Sequence, residues 1–207
     1  YFLELIDTAL SNNITKETYE LIGHLAFADP LTVPELLDRM SDLKNSIENI
    51  FLNDPTVPYA AIIRSIGCLM LFSPNSTEFY DLWMFIQRIV ELNFSPVDEE
   101  DLNEFMDGLF VMIRALIEHC PPEQMDREKK RLTFMVIDKA IECTCPSDLF
   151  YSDFCDLVDS LFTMHRRSVH ILIQRKSIKQ LLFASSICQN ALVKLKAENV
   201  SRQLMDA

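Results

Sequence analysis

Three glycines are all that the 207 residues contain, and there is a single tryptophan. Scarce glycine excludes collagen-like and turn-rich all-β chains, and it leaves no loop of the kind that cradles a phosphate. Nine prolines are too few for a linker-rich chain. No apolar run approaches the length of a bilayer span; Ile66-Gly-Cys-Leu-Met-Leu-Phe72 is among the longest. Walker, Gly-x-Gly-x-x-Gly, Gly-x-Ser-x-Gly and His-Glu-x-x-His patterns are all missing. These absences set the expectation of a protein that is not an enzyme and holds no cofactor and no metal.

What is present is an ordinary globular composition, 49% hydrophobic and 24% charged, too apolar for intrinsic disorder. Acidic side chains number 31 against 19 basic ones, for a net charge of −12. Such a chain has no overall attraction for nucleic acid or for anionic lipid. The charge is unevenly spread. Residues 1–160 carry 29 acidic and 11 basic side chains, net −18, whereas 161–207 carry 2 acidic and 8 basic, net +6. No Asp or Glu occurs between Leu161 and Ala197.

The six cysteines, Cys68, Cys120, Cys143, Cys145, Cys155 and Cys188, sit mostly among apolar residues at helical spacing. A disulfide framework would be shorter, denser in Cys and richer in Gly. Reduced, buried thiols of an intracellular protein, cytoplasmic and/or nuclear, are expected. The chain opens at Tyr1-Phe-Leu-Glu-Leu-Ile, already inside an amphipathic pattern, and reads as a piece of a longer protein.

Helical periodicity runs from end to end and predicts an all-α fold of about nine antiparallel helices. They fall near 2–10, 15–28, 32–53, 58–72, 75–95, 98–120, 123–143, 147–162 and 177–198, with 164–175 as either a continuation or a connector. Thr32-Val-Pro-Glu35 has the form of a capping box. Ala60, Ala61 and Gly67 are small enough to admit a neighbouring helix, and Trp83, Ile86, Leu109, Ile113 and Leu157 are expected in the core. Met135, Ile141, Cys188, Leu192 and Leu195 fall on apolar faces of the pattern.

Two predicted hairpins are about 38 and about 46 residues long, which brackets the roughly 40–47 residues of HEAT and armadillo units. With Pro near several helix starts, the chain resembles a HEAT/armadillo-like α-solenoid, a single helical-repeat domain over residues 1–207; a compact helical bundle is the alternative. That resemblance implies a non-enzymatic protein–protein interaction module, a scaffold or adaptor segment. A segment of an importin-β-like nuclear transport receptor is a special case. The other readings are a regulatory helical domain of an enzyme, and a bundle holding an apolar ligand between its helices.

Cys143-Thr-Cys145, with His165 beyond it, has the wrong spacing for a zinc knuckle and reads as a helix end with half-buried thiols. His119 and Cys120 are adjacent on a helix and point about 100° apart, so they form no catalytic pair. Asp98, Glu99, Glu100, Asp101, Glu104 and Asp107 lack the glycine of a calcium loop and read as a solvated helix start. Arg127-Glu-Lys-Lys-Arg131 reads as a solvated face. The strongest cluster is acid-free: Arg166, Arg167, Arg175, Lys176 and Lys179 place five cations in 14 residues, with His170 among them. No aromatic residue lies between Thr163 and Leu182 to stack on bases. Arg166, Arg167, His170, Arg175, Lys176 and Lys179 are therefore expected to bind a protein partner, an acidic or phosphorylated segment, or else to pair with acids on a neighbouring helix, for example Asp153, Asp156 and Asp159.

Overall fold

The computed structural model describes residues 4, 8, 16–39, 59–73, 82–91, 99–144, 146–166 and 169–206. Among them there is no strand. The helices are α1 (Lys16–Ala28), α2 (Val33–Arg39), α3 (Tyr59–Phe72), α4 (Leu82–Glu91), α5 (Glu99–Glu118), α6 (Arg127–Lys139), α7 (Asp148–Met164), α8 (Val169–Gln174), α9 (Lys176–Ile187) and α10 (Ala191–Met205). Short 3₁₀ turns, Pro30–Thr32 and Ala140–Glu142, precede α2 and follow α6.

Local chemistry sets the boundaries. Asp126 accepts the Lys129 N–H at 2.9 Å and opens α6, so residues 123–125 stay outside the helix that the sequence pattern started at 123. Ser147 accepts the Phe150 N–H at 3.1 Å and opens α7. Asn190 accepts from Leu192 and Val193, which divides the expected helix 177–198 into α9 and α10. The stretch after Met164 is neither continuation nor plain connector, because a separate short helix, α8, lies in it. Thr32 does not act as a cap: its hydroxyl donates to the Asp29 carbonyl at 2.7 Å, and Asp29 caps the preceding turn. The N-terminal helix expected at 2–10, the second half of that at 32–53, and the caps near 75 and 96 lie outside the described residues, apart from helical Glu4 and Thr8.

One row of helices organises the core. Gly67 on α3 faces Met112 on α5, while Gly108 on α5 faces Ala60 and Arg64 on α3. Contact positions rise together along both chains, so α3 and α5 run parallel. The same holds for α1 against α3, through Tyr19 to Ser65 and Gly23 to Cys68. It holds again for α5 against α7: Phe110 packs on Phe150 and Phe154, Arg114 meets Asp156, and Glu118 meets Ser160. On the other side α4 rests on α6 and α6 touches α9.

Trp83, Ile86, Leu109, Ile113 and Leu157 are all buried as expected. Met135, Ile141, Leu192 and Leu195 are instead exposed, and Cys188 is half-buried. The break at Asn190 explains two of these, since it resets the helical phase that had placed Leu192 and Leu195 in line with Leu181. Ile141 lies in a 3₁₀ turn, where the 3.6-residue period no longer applies.

The helix spacing in the row rests on its glycines. A Cβ on Gly67 would stand 2.7 Å from the Met112 nitrogen, and one on Gly108 would stand 2.9 Å from the Ala60 oxygen. Both obstacles are backbone and have no rotamer to turn away. At Gly23 the nearest atom is a cysteine sulfur at 3.6 Å, an ordinary contact. Gly67→Ala and Gly108→Ala should each cost about 1–3 kcal/mol from overpacking. Gly23→Ala should be neutral or stabilise by up to about 1 kcal/mol through helix propensity. Urea unfolding of the three variants decides this, and a common sign would refute it.

Candidate functional site

α3 carries a single charge. Between Asp54 and Glu78 the only ionisable side chains of charged type are those of Arg64, in an otherwise apolar stretch. A long cation there must find acids or leave the core. Arg64 finds two: its Nη1 lies 2.6 Å from Asp107 Oδ2 on α5 and 2.6 Å from Asp153 Oδ2 on α7. Both aspartates are buried.

A second group continues along the same helices. Arg114 binds Glu118 at 2.8 Å and Asp156 at 3.1 Å. Ser160 donates to Glu118 at 2.6 Å, and Lys196 of α10 reaches Asp156 at 2.8 Å. At the other end Lys16 of α1 binds Glu104 of α5 at 2.6 Å. The row thus carries a polar ladder from α1 to α10.

A cavity of about 370 Å³ opens beside Arg64, between α1, α3, α5 and the start of α7. Glu20, Glu104 and Asp107 bring carboxylates to it, and Phe27 and Leu149 bring apolar surface. Asn103 lines it as well, donating its amide to the Thr144 carbonyl at 2.7 Å. Two buried oxygens at this cavity, Asp107 Oδ1 and Asn103 Oδ1, have no hydrogen-bond partner among the described residues. Burial pushes Asp107 up to about 8; Arg64 opposes the shift and the neighbouring Asp153 carboxyl adds to it.

This corrects the reading of Glu104 and Asp107 as part of a solvated helix start; the side chains of residues 98–101 lie outside the described ones. Asp107 is only 8% exposed, and Glu104 is bound to Lys16. Glu104 is half-exposed, and Asp107, three residues further on, faces the packed side of α5. Sequence reasoning missed Arg64 and gave Asp107 and Asp153 other roles, a solvated helix start and pairing with the basic segment. The available signal was the isolated arginine in an apolar helix.

The basic cluster is divided by the fold. Arg166, His170, Lys176 and Lys179 are exposed, and their side chains make no ion pair or hydrogen bond among the described residues. Arg167 lies outside the described residues. Arg175 is turned inward: it pairs with Asp138 of α6 and covers the Phe134 ring at 4.4 Å. Its acid is therefore on α6, not among Asp153, Asp156 and Asp159. His165 is buried, not part of the basic surface; burial lowers its pKa, against a hydrogen bond with the Ile117 backbone.

On α9, Lys176 and Lys179 continue into Phe183 and Ile187, which are 67% and 63% exposed. Spacings of three and four residues put all four on one face. Leu192 and Leu195, beyond the turn, are exposed too.

The remaining sequence candidates form no constellation. His119 Nε2 lies 2.7 Å from the Met70 carbonyl, and the Cys120 thiol donates toward the Pro121 carbonyl. Cys143 is half-buried at the end of a 3₁₀ turn, while Cys145 lies outside the described residues. Burial pushes the Cys68 and Cys143 thiols up to about 12 and Cys155 up to about 11, which keeps them protonated and poorly nucleophilic near neutral pH. Arg131 is paired with Glu128, as suits a solvated face. Among the described residues no three His, Cys, Asp or Glu side chains are grouped to hold a metal ion. None of their helices is long and apolar enough to cross a membrane. The chain matches no family model, no curated protein and no solved structure.

The raised Asp107 has a thermodynamic consequence. An ordinary Asp, at 3.8, is ionised in the unfolded chain well below the pH at which the folded one loses its proton. Its contribution is fully present below about pH 4 and falls as pH rises to about 8, because the unfolded state then binds fewer protons. Asp107→Asn should remove that fall. The difference in Tm between pH 5 and pH 8 should shrink by at least about 2–4 °C, which is about 1 kcal/mol for a chain of this size. Differential scanning fluorimetry tests it, and an unchanged difference would count against a protonated Asp107.

Proposed function

We propose that this chain is a non-enzymatic interaction module, a segment of stacked HEAT/armadillo-like hairpins that binds an acidic segment of a partner protein along α9. The stacked arrangement is supported by a recurring sequence offset. Contacts between successive row helices join residues 46 apart (Tyr19 and Ser65), 43 apart (Arg64 and Asp107), 42 apart (Arg114 and Asp156) and 44 apart (Ser152 and Lys196). This is the spacing of units of roughly 40–47 residues, each stacking on the last. An intracellular setting, cytoplasmic or nuclear, belongs to the same reading.

The observation that carries the function is the uncovered face of α9. Two lysines without a partner among the described residues lead into two exposed large apolar side chains. An amphipathic acidic helix complements both parts, its carboxylates meeting Lys176 and Lys179 and its apolar side covering Phe183 and Ile187. The charge speeds encounter and selects the partner, while the apolar pair supplies most of the affinity.

The test uses a synthetic amphipathic helix of Glu and Leu, with a Lys-for-Glu peptide as control, read by fluorescence anisotropy. The acidic peptide should bind, weaken with added salt, and lose about tenfold or more (about 1.4 kcal/mol) to Lys176→Glu/Lys179→Glu. Phe183→Ser should weaken it comparably. All of these residues are exposed, so unfolding free energies should stay within about 0.5 kcal/mol of the parent. Equal binding of both peptides, or indifference to these substitutions, would overturn the assignment.

A further inference from the structure

The cavity between α1, α3 and α5 is separate from the α9 face and has a different chemistry. At about 370 Å³ it falls within the range of small-molecule sites. Glu20, Glu104 and Asp107 line it, opposed by the single guanidinium of Arg64, and Asp153 adds another carboxylate behind that guanidinium. Lys16, at the rim, is already engaged with Glu104. Even with Asp107 protonated, Glu20, Glu104 and Asp153 outnumber Arg64 and Lys16, so the excess charge is negative, and the Asp107 carboxyl and Asn103 Oδ1 are short of hydrogen-bond partners. An anionic ligand would worsen both deficits, and a purely apolar one would leave them in place.

We propose that this cavity binds a small organic cation, an alkylammonium or alkylguanidinium compound, with its N–H donors toward Asp107, Asn103 and Glu104 and its apolar body against Phe27 and Leu149. This replaces the apolar ligand considered from the sequence with one that is charged at one end.

Binding is linked to a proton. The groups around Asp107 are Arg64 and Cys68 from α3, Asp153 from α7, Glu104 from its own helix, and Tyr19, Glu20 and His24 from α1. Asp107 holds its proton up to about pH 8, and a cation against its carboxylate competes with that proton. Affinity therefore rises from pH 6 to pH 8, and binding releases a proton.

The probes are n-butylammonium and n-butylguanidinium, with butyrate and butanol as controls of matched size, titrated by isothermal calorimetry and amide NMR. At least one cation should bind saturably, shift the Gly23 and Ala61 amides, and exceed butyrate and butanol by about tenfold or more. Asp107→Asn and Glu104→Gln should each weaken it by about tenfold, and Asp107→Asn should remove its pH dependence. Glu104 is half-exposed, so Glu104→Gln decides the matter if Asp107→Asn does not fold. The proposal is overturned if neither cation binds saturably, if butyrate or butanol binds as well, or if the folded variants keep full affinity. A lysine-bearing peptide that binds more than about tenfold tighter than butylammonium would overturn the assignment to a small molecule.

Discussion

Everything polar in the middle of this protein depends on the direct approach of two helix backbones. At Gly67 and Gly108, α3 and α5 come so close that neither position leaves room for a Cβ. Ile63 and Met112, beside these glycines, are buried in the core. Because the spacing is short, Arg64 spans from α3 past α5 to Asp153 on α7. Across a wider gap one guanidinium would serve one helix; here it joins three.

The ladder built on this spacing is a matter of placement more than of stability. A buried ion pair repays little beyond its desolvation cost, yet removing one partner leaves an uncompensated charge at a cost of about 3–5 kcal/mol. Arg64 therefore constrains where α5 and α7 can lie, since any shift would strand Asp107 or Asp153. The arrangement also leaves an imbalance of two acids to one base at the cavity wall. Burial, reinforced by the neighbouring Asp153 carboxyl, keeps the proton on Asp107, and the same excess of acids is the basis of the cation site proposed above.

The polarity between the acidic first part of the chain and its basic end is partly resolved inside the fold. Asp156 takes Lys196, and Asp138 takes Arg175, so acids from the first 160 residues neutralise cations from the last 47. Among the described residues, Arg166, Lys176, Lys179, Lys194 and Arg202 are left without an acid, and Lys176 and Lys179 adjoin apolar surface on α9. A cation count along the sequence overstates the basic surface, because a net charge does not say which side chains face one another.

The sequence alone determined the helical class, most helix positions, and core residues such as Trp83, Ile86, Leu109 and Leu157. Each of these follows from a period of 3.6 residues and from local breaks, which act over one or two turns of chain. It marked Gly67 as a place of close approach, since a missing side chain is visible before folding. Arg64 was equally visible as a lone charge, but its two acids were not, for they stand 43 and 89 residues away. Only the tertiary structure decided that Asp107 turns inward, that Arg175 is shared with Asp138, and that Phe183 and Ile187 stay uncovered. These outcomes depend on which helices become neighbours. Burial and pairing are properties of a contact between distant segments, and no local pattern encodes the partner.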